Sequence, residues 1–319
     1  MAANCVLAVD LGGTKLAAAL VDRQGKVLCR ESVSVDGSSA LAPVHQLVQL
    51  AKEWAAEKKN NHPILAAGVA VPGLVRRDGT VWAPNLPGWK KMALARKLRL
   101  ALRVPVVVES DRNAAVLGEV WRGAARGKSD VIVLMLGTGI GAGILSGGRL
   151  VRGAHELSGC AGWLVVADEH GPEGLRVGQL ESLAAGPAIA RTAKQEIAQG
   201  RGGLLEELPP EKINAYEVAE AARRGDVVSI EVYLEAGRLL GYGVANLVSL
   251  FDPELVLIGG GLARASDLFL DALKKNMKEH AQPISGRQVR VLPSHLGGDA
   301  ILLGVARLAW GVSSNALRS

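Results

Sequence analysis

The chain has 319 residues, 49% of them hydrophobic and only 3% aromatic, with a mean hydropathy of +0.20 and a formal net charge of +6. That length predicts two domains around cores built mainly of Ala, Leu and Val. No apolar run reaches the length of a membrane span, no secretory pattern or helix-turn-helix precedes the first strand, and the modest charge suits an anionic substrate without demanding nucleic acid. A cytoplasmic enzyme with neither a membrane nor a nucleic-acid partner is therefore expected.

Residues 6–20 read as an apolar strand, a turn at Gly12-Gly13-Thr14 and a second strand, and 27–35 as a third. A helix follows at 41–57 and a buried strand at 64–71. Residues 72–89 form a Pro/Gly/Asn-rich loop interrupted by Thr80-Val81-Trp82. Then come a helix at 90–102, a strand at 104–108 and a helix opening at Asn113 and running to 121. The polar, glycine-rich stretch 123–130 reads as a boundary. Residues 131–145 repeat the first design, two apolar strands around Gly137-Thr138-Gly139. Helices are expected at 179–199 and 228–250. A short strand at 255–258 ends in Gly259-Gly260-Gly261 and leads into a helical segment; a last strand at 289–292 and a closing helix at 300–310 follow. Alternating strands and helices in two similar runs imply α/β layers with mixed sheets.

The paired hairpins are the main functional signal. Glycine turns let a ligand approach the main chain closely, and two of them can grip a polyphosphate. Gly12, Gly13 and Thr14 offer N–H groups and a hydroxyl, with Thr138 and Gly139 as counterparts. Lys15 is either a phosphate partner or an exposed turn residue. Asp10, at a strand end, is placed to hold Mg²⁺ through water, the manner usual for that ion. Gly259, Gly260 and Gly261 suit a flat adenine ring or form an ordinary strand-to-helix turn. Asp111 follows an apolar strand and precedes a helix; it is either a general base or a helix cap. Asn113 can orient that loop, and Glu109 reads as structural. Cys5, Cys29 and Cys160 share no metal spacing; Cys5 and Cys29 fall in strand patterns and are expected to be buried. Arg76-Arg77 and Lys58-Lys59 read as solvated surface.

Seven segments in order carry a specific resemblance: DLGGTK at 10–15, VAVPG at 69–73, PNLPGW at 84–89, ESDRNAA at 109–115, LGTGIG at 136–141, LIGGG at 257–261 and GDAILLG at 298–304. They resemble the ROK family of sugar kinases and sugar-responsive repressors. The resemblance implies an α/β, two-domain actin-like ATPase (ribonuclease H-like) fold with mixed sheets flanked by helices. A small domain of residues 1–121 would be completed by 301–319, with a larger domain over 122–300. It further implies ATP and Mg²⁺ as cofactors, Asp111 as general base, a sugar-like substrate and a homodimer. A sugar- or nucleotide-binding regulatory relative with little catalysis is the alternative.

The sugar pocket departs from the family pattern. Asn85 and Glu181 match sugar-binding positions. Ser110 stands where the family usually has Asn, and Gly159-Cys160-Ala161-Gly162-Trp163 replaces Gly-Glu-x-Gly-His. The family's cysteine-rich zinc segment corresponds to GPEGLRVGQLE at 171–181, which has no cysteine. His155 and His170 lack partners at ligand spacing and read as loop residues. No structural zinc is therefore expected. Trp163 is expected either to stack on a sugar or to pack into the space left by the lost ligands.

Overall fold

The computed structural model describes residues 4–56, 62–168 and 171–316; Lys58-Lys59 and His170 lie outside the described residues. The chain forms two compact units: Met1–Gly127 with Arg152–Ser158 and Gly298–Ser319, and Lys128–Val151 with Gly159–Gly297.

Unit 1 begins with strands β1 (Cys5–Leu11), β2 (Lys15–Asp22) and β3 (Val27–Ser34), then helix α1 (Ala42–Ala56) and β4 (Ile64–Val71). A ribbon of β5 (Leu74–Val75) and β6 (Val81–Trp82) leads to α2 (Leu94–Leu102), β7 (Val106–Ser110) and α3 (Asp111–Arg122). The sheet order is β3-β2-β1-β4-β7, with β1, β2 and β3 antiparallel and β1, β4 and β7 parallel. Asp10 registers with Ala70, and Ala70 with Glu109. The parallel strands therefore finish together, so Asp10 and Asp111 stand at one end of the sheet, where open α/β sheets carry their ligands.

Unit 2 repeats this plan. Its strands are β8 (Val131–Leu136), β9 (Ile140–Ser146), β10 (Arg149–Leu150), β11 (Leu255–Gly259) and β12 (Arg290–Pro293). Their order is β10-β9-β8-β11-β12, with an antiparallel hairpin beside parallel strands. Its helices are α4 (Pro172–Val177), α5 (Gln179–Ala184), α6 (Gly186–Ala198), α7 (Ala215–Arg223), α8 (Val227–Phe251), α9 (Ser266–His280) and α10 (Pro283–Gln288). The closing helix α11 (Asp299–Ala316) belongs to unit 1. Mixed sheets flanked by helices in two similar units give the expected α/β, ribonuclease H-like fold.

Several expected elements change at their edges. The helix expected at 179–199 is two helices: the chain turns extended at Ala185, and Pro187, which supplies no N–H, sits in the first turn of the second helix. The Gly186 N–H instead donates to the Gly137 carbonyl at 2.9 Å, docking the break on the second glycine turn. Helix α2 starts at Leu94 rather than residue 90, since Met92 pairs with Val81 across a β-bridge. Helices α4, α7 and α10 and the two-residue strands β5 and β10 went unforeseen. Cys5 is buried, with its thiol pushed up to about 11 by desolvation, but Cys29 on edge strand β3 is only partly covered.

Helix α11 crosses α3 at very short range. A Cβ built on Gly304 would lie 1.8 Å from the Ala114 carbonyl oxygen, and one on Gly118 1.9 Å from that of Ala300. Backbone at that range cannot swing aside, so Gly304→Ala forces the helices apart. We expect it to cost about 3 kcal/mol, the upper end of overpacking effects, read as a lower midpoint in urea without a changed slope.

Candidate active site

Unit 1 gathers its functional groups at the carboxyl ends of β1 and β7. Asp10 is partly buried and its pKa is pushed up to about 7, first by desolvation, then by repulsion from Asp111, against a smaller opposing pull from Lys15. Burial also raises the Asp111 pKa, against the Arg112 backbone N–H and the Arg112 charge. The capping role for Asp111 does not hold. Ser110 occupies the N-cap position without a side-chain capping bond, Asp111 is the first helical residue, and its Oδ1 accepts the neighbouring Arg112 N–H at 2.8 Å. Ser110 itself is buried.

In the first hairpin the Gly12 N–H closes the turn on the Lys15 carbonyl at 2.9 Å. The Gly13 and Thr14 N–H groups have no partner among the described residues, and Thr14 and Lys15 are exposed. Asn85 is exposed and lies against this turn: a Cβ on Gly13 would be 3.4 Å from its Cβ. The loop that presents Asn85 is held from below by buried Trp89, whose Nε1 donates to the Ala40 carbonyl at 2.8 Å.

The turn that carries Asp111 is clamped by Glu109 and Asn113 together with Arg152, Arg112 and Ser158, of which the sequence singled out only the first two. Glu109 is buried; its Oε1 accepts the Ser110 N–H at 2.9 Å and Asn113 Nδ2 at 3.0 Å. Its Oε2 pairs with Arg152. Arg112, also buried, donates from Nε to the Ser158 carbonyl at 3.2 Å, and Arg77 pairs with Glu156 at 2.9 Å. The segment Arg152–Ser158 is thus strapped onto unit 1 around Asp111, and it runs directly into Gly159-Cys160. His155 is exposed within it.

In unit 2 the Gly137 N–H closes the second turn on the Gly139 carbonyl at 3.0 Å, and Thr138 is exposed at its tip. Nothing lies within 4 Å of where a Cβ would sit on Gly137 or Gly261, which leaves both main-chain positions open to a ligand. Gly260 has φ +84° and packs on the end of β8, where a Cβ would be 2.2 Å from the Leu136 oxygen, so only glycine fits. Gly259 is buried at the end of β11. Glu181 ties a sugar-matching position to the phosphate-type turn, since its Oε2 accepts the Ile140 N–H at 2.7 Å. Burial raises its pKa, opposed by that hydrogen bond and by Arg176.

Cys160 is partly exposed at the start of a tight turn through 161–163. Trp163 is 57% exposed, so it does not fill a core; the packing alternative is replaced by an open aromatic face. The loop after it is held by Gln179, 2% exposed. Its Oε1 accepts the N–H groups of Val166 at 2.6 Å and Ala167 at 2.9 Å, and its Nε2 donates to the Ala167 carbonyl at 2.8 Å. An amide therefore cross-ties the segment in which the family resemblance would place zinc ligands.

The residues fit ATP and Mg²⁺. Two carboxylates, both raised by burial and Asp10 also by repulsion from Asp111, form a hard-oxygen set suited to a divalent cation, and open glycine turns suit phosphates. Among the described residues no three His, Cys, Asp or Glu side chains cluster to hold a metal.

The two units define an actin/hexokinase-like ATPase architecture. A model of the ROK family matches residues 6–311, and the chain belongs to that family. It is 36% identical over 316 residues to a glucokinase of Streptomyces coelicolor, covering 95% of this chain and 96% of that protein. A Thermotoga maritima glucokinase is 31% identical over 313 residues, with 95% and 96% covered. Among solved structures, a ROK family glucokinase from Streptomyces griseus in complex with glucose and AMPPNP superposes with a TM-score of 0.79 at 33% identity, covering 97% of this chain and 100% of that one. Among the described residues no helix is long and apolar enough to cross a membrane.

The raised Asp10 pKa has a thermodynamic consequence. Its folded value of about 7 exceeds the ordinary 3.8, so the folded state holds the proton more tightly. The associated stability is fully present below about pH 4 and is lost as pH rises through about 7. Asp111 acts with the same sign. The ligand-free protein should lose Tm between these limits, and Mg²⁺, which favours the ionised form, should restore more stability at the alkaline end. Thermal melts with and without Mg²⁺ check this; Asp10→Asn should flatten the dependence.

Proposed function

We propose that this protein is an ATP- and Mg²⁺-dependent kinase that phosphorylates a hydroxyl of a hexose or modified sugar, with Asp111 as general base. The observation that carries the reading is a carboxylate at the end of a parallel strand, in no ion pair among the described residues, on a turn clamped by Glu109 through Ser110 and Asn113. Kinship with glucokinases, one of them described with glucose and AMPPNP, supports the reaction class.

Asp111 accepts the proton of the attacking hydroxyl; its raised pKa keeps it basic enough to do so. Asn85, Ser110, Glu181, Cys160 and Trp163 are the proposed substrate contacts. The Gly13, Thr14, Thr138 and Gly139 main chain and the Lys15 ammonium take the phosphates, and Gly259, Gly260 and Gly261 the adenine. Mg²⁺, when bound near Asp10, neutralises charge on the transferred phosphoryl group. Zinc plays no part, and elemental analysis should find well under one zinc per chain.

The departures at Cys160 and Trp163 favour one second reading, a sugar- or nucleotide-binding regulatory relative with little turnover. A coupled ADP-release screen over hexoses, amino sugars, anhydro sugars and polyols separates the two. Turnover on any of them supports the kinase, and saturable binding without ADP release supports the alternative.

A further inference from the structure

The free edge of β7 lines a cavity of about 330 Å³ within unit 1 that the proposed chemistry leaves unused. Strand β7 pairs with β4 alone, so its other edge stays open. Arg76, Arg77, Arg99 and Arg152 line the cavity against two carboxylates, Glu109 and Glu156. The charges do not cancel. Arg77 is paired with Glu156 and Arg152 with Glu109. The Arg99 guanidinium donates only to the Val106 carbonyl, at 3.2 and 3.3 Å. The Arg76 guanidinium has no hydrogen bond or ion pair among the described residues and acts on Asp78 only through space. The expected solvated face at Arg76-Arg77 is therefore one wall of a concave basic site, and a cleft of one sign concentrates anions. Leu308 and Val312 of α11 supply an apolar floor.

We propose that this cavity binds the phosphate group of a small phosphorylated metabolite and that its occupancy slows the Asp111 site. Convergent guanidinium groups match a phosphate dianion better than a single carboxylate, and the apolar floor accepts the organic remainder. Coupling runs through Glu109, which is both a cavity wall and the buried acceptor that holds Ser110 and Asn113 on either side of Asp111. A phosphate that draws Arg152 away leaves the buried Glu109 charge without its counterion, a state that a buried carboxylate tolerates poorly. The turn carrying Asp111 must then rearrange.

Binding at this cavity does not depend on the reaction; its effect on turnover rests on the kinase reading above. The test uses the full chain with Mg²⁺ and AMPPNP filling the nucleotide site, titrated by calorimetry with inorganic phosphate and with phenyl phosphate. Saturable binding of phenyl phosphate is expected. Tighter binding of the ester than of free phosphate, or equal affinity, each supports a phosphate site, and the comparison tells whether the floor contributes. Arg76→Glu, an exposed and unpaired position, should weaken binding by about tenfold or more, the worth of one charge-assisted contact, while leaving basal activity unchanged. Arg99→Ala should act in the same direction. No saturable binding, or binding that Arg76→Glu leaves unchanged, overturns the site. In the active enzyme, phenyl phosphate should lower kcat without raising either KM; competition with ATP or sugar overturns the coupling. Amide exchange over residues 109–113 reads the same coupling without turnover: faster exchange on binding supports it, and unchanged exchange overturns it.

Discussion

Asp111→Asn should lower kcat by about 10²–10⁴-fold, the usual contribution of a positioned general base, while the protein stays folded and its affinity for nucleotide barely moves. The carboxylate accepts a local hydrogen bond from the Arg112 N–H, and an Asn side-chain oxygen keeps that acceptor. The substitution also removes a charge that burial disfavours, so unfolding at neutral pH should not become easier. A second readout separates loss of a base from general damage. Asp111 repels Asp10, so the variant should bring the Asp10 pKa down from about 7 towards its ordinary value. The wild-type kcat/KM profile should rise with pH through a limb above the ordinary carboxylate range, since Asp111 must be ionised to accept a proton. Wild-type turnover in the variant on an identified substrate would remove Asp111 from the mechanism.

The paired hairpins could be read from sequence because strand periodicity and glycine turns are local signals. Asp10-Leu-Gly-Gly-Thr and Leu136-Gly-Thr-Gly each sit between strands whose register the fold reproduces. Asp10 and Asp111 each close an apolar run, which assigns both to strand ends; that these ends meet at one edge of the sheet comes from the parallel pairing of β1, β4 and β7. The clamp around Asp111 could not. Arg152 follows β10 of unit 2 in the chain yet belongs to unit 1, and nothing local to Arg152 or Ser158 signals that return. Arg112 lies inside a quoted motif, but a charged residue in a helix ordinarily faces solvent; its burial comes from the strap laid over it. Gln179 was hidden for a similar reason. One glutamine in a cysteine-free stretch looks unremarkable until both ends of its amide meet the backbone of residues 166–167. Trp163 carried two readings at sequence level, and only its exposure separates them.

That exposure sharpens the expected specificity. Trp163 presents an open aromatic face, and Cys160 beside it offers only a weakly polar thiol. The family pattern has an imidazole and a carboxylate at these positions. Each charge-assisted hydrogen bond to a sugar hydroxyl contributes roughly 1.5–3 kcal/mol, so losing two should depress kcat/KM for glucose by about a hundredfold or more. Hydroxyls brought against an apolar wall without partners are what such a site rejects. A sugar with an apolar face or a bulky substituent on that side meets Trp163 without that penalty, and should be the better substrate. Glu181 cannot compensate freely, because one of its oxygens is already committed to the Ile140 N–H. The comparison is kcat/KM for glucose against amino, anhydro and otherwise modified sugars, in the wild type and in Trp163→His with Cys160→Glu. The double variant should gain on glucose by at least about tenfold and lose on the preferred modified sugar. Efficient glucose phosphorylation by the wild-type protein would mean that other groups have rebuilt the missing contacts. In that case Trp163 and Cys160 would not determine the substrate.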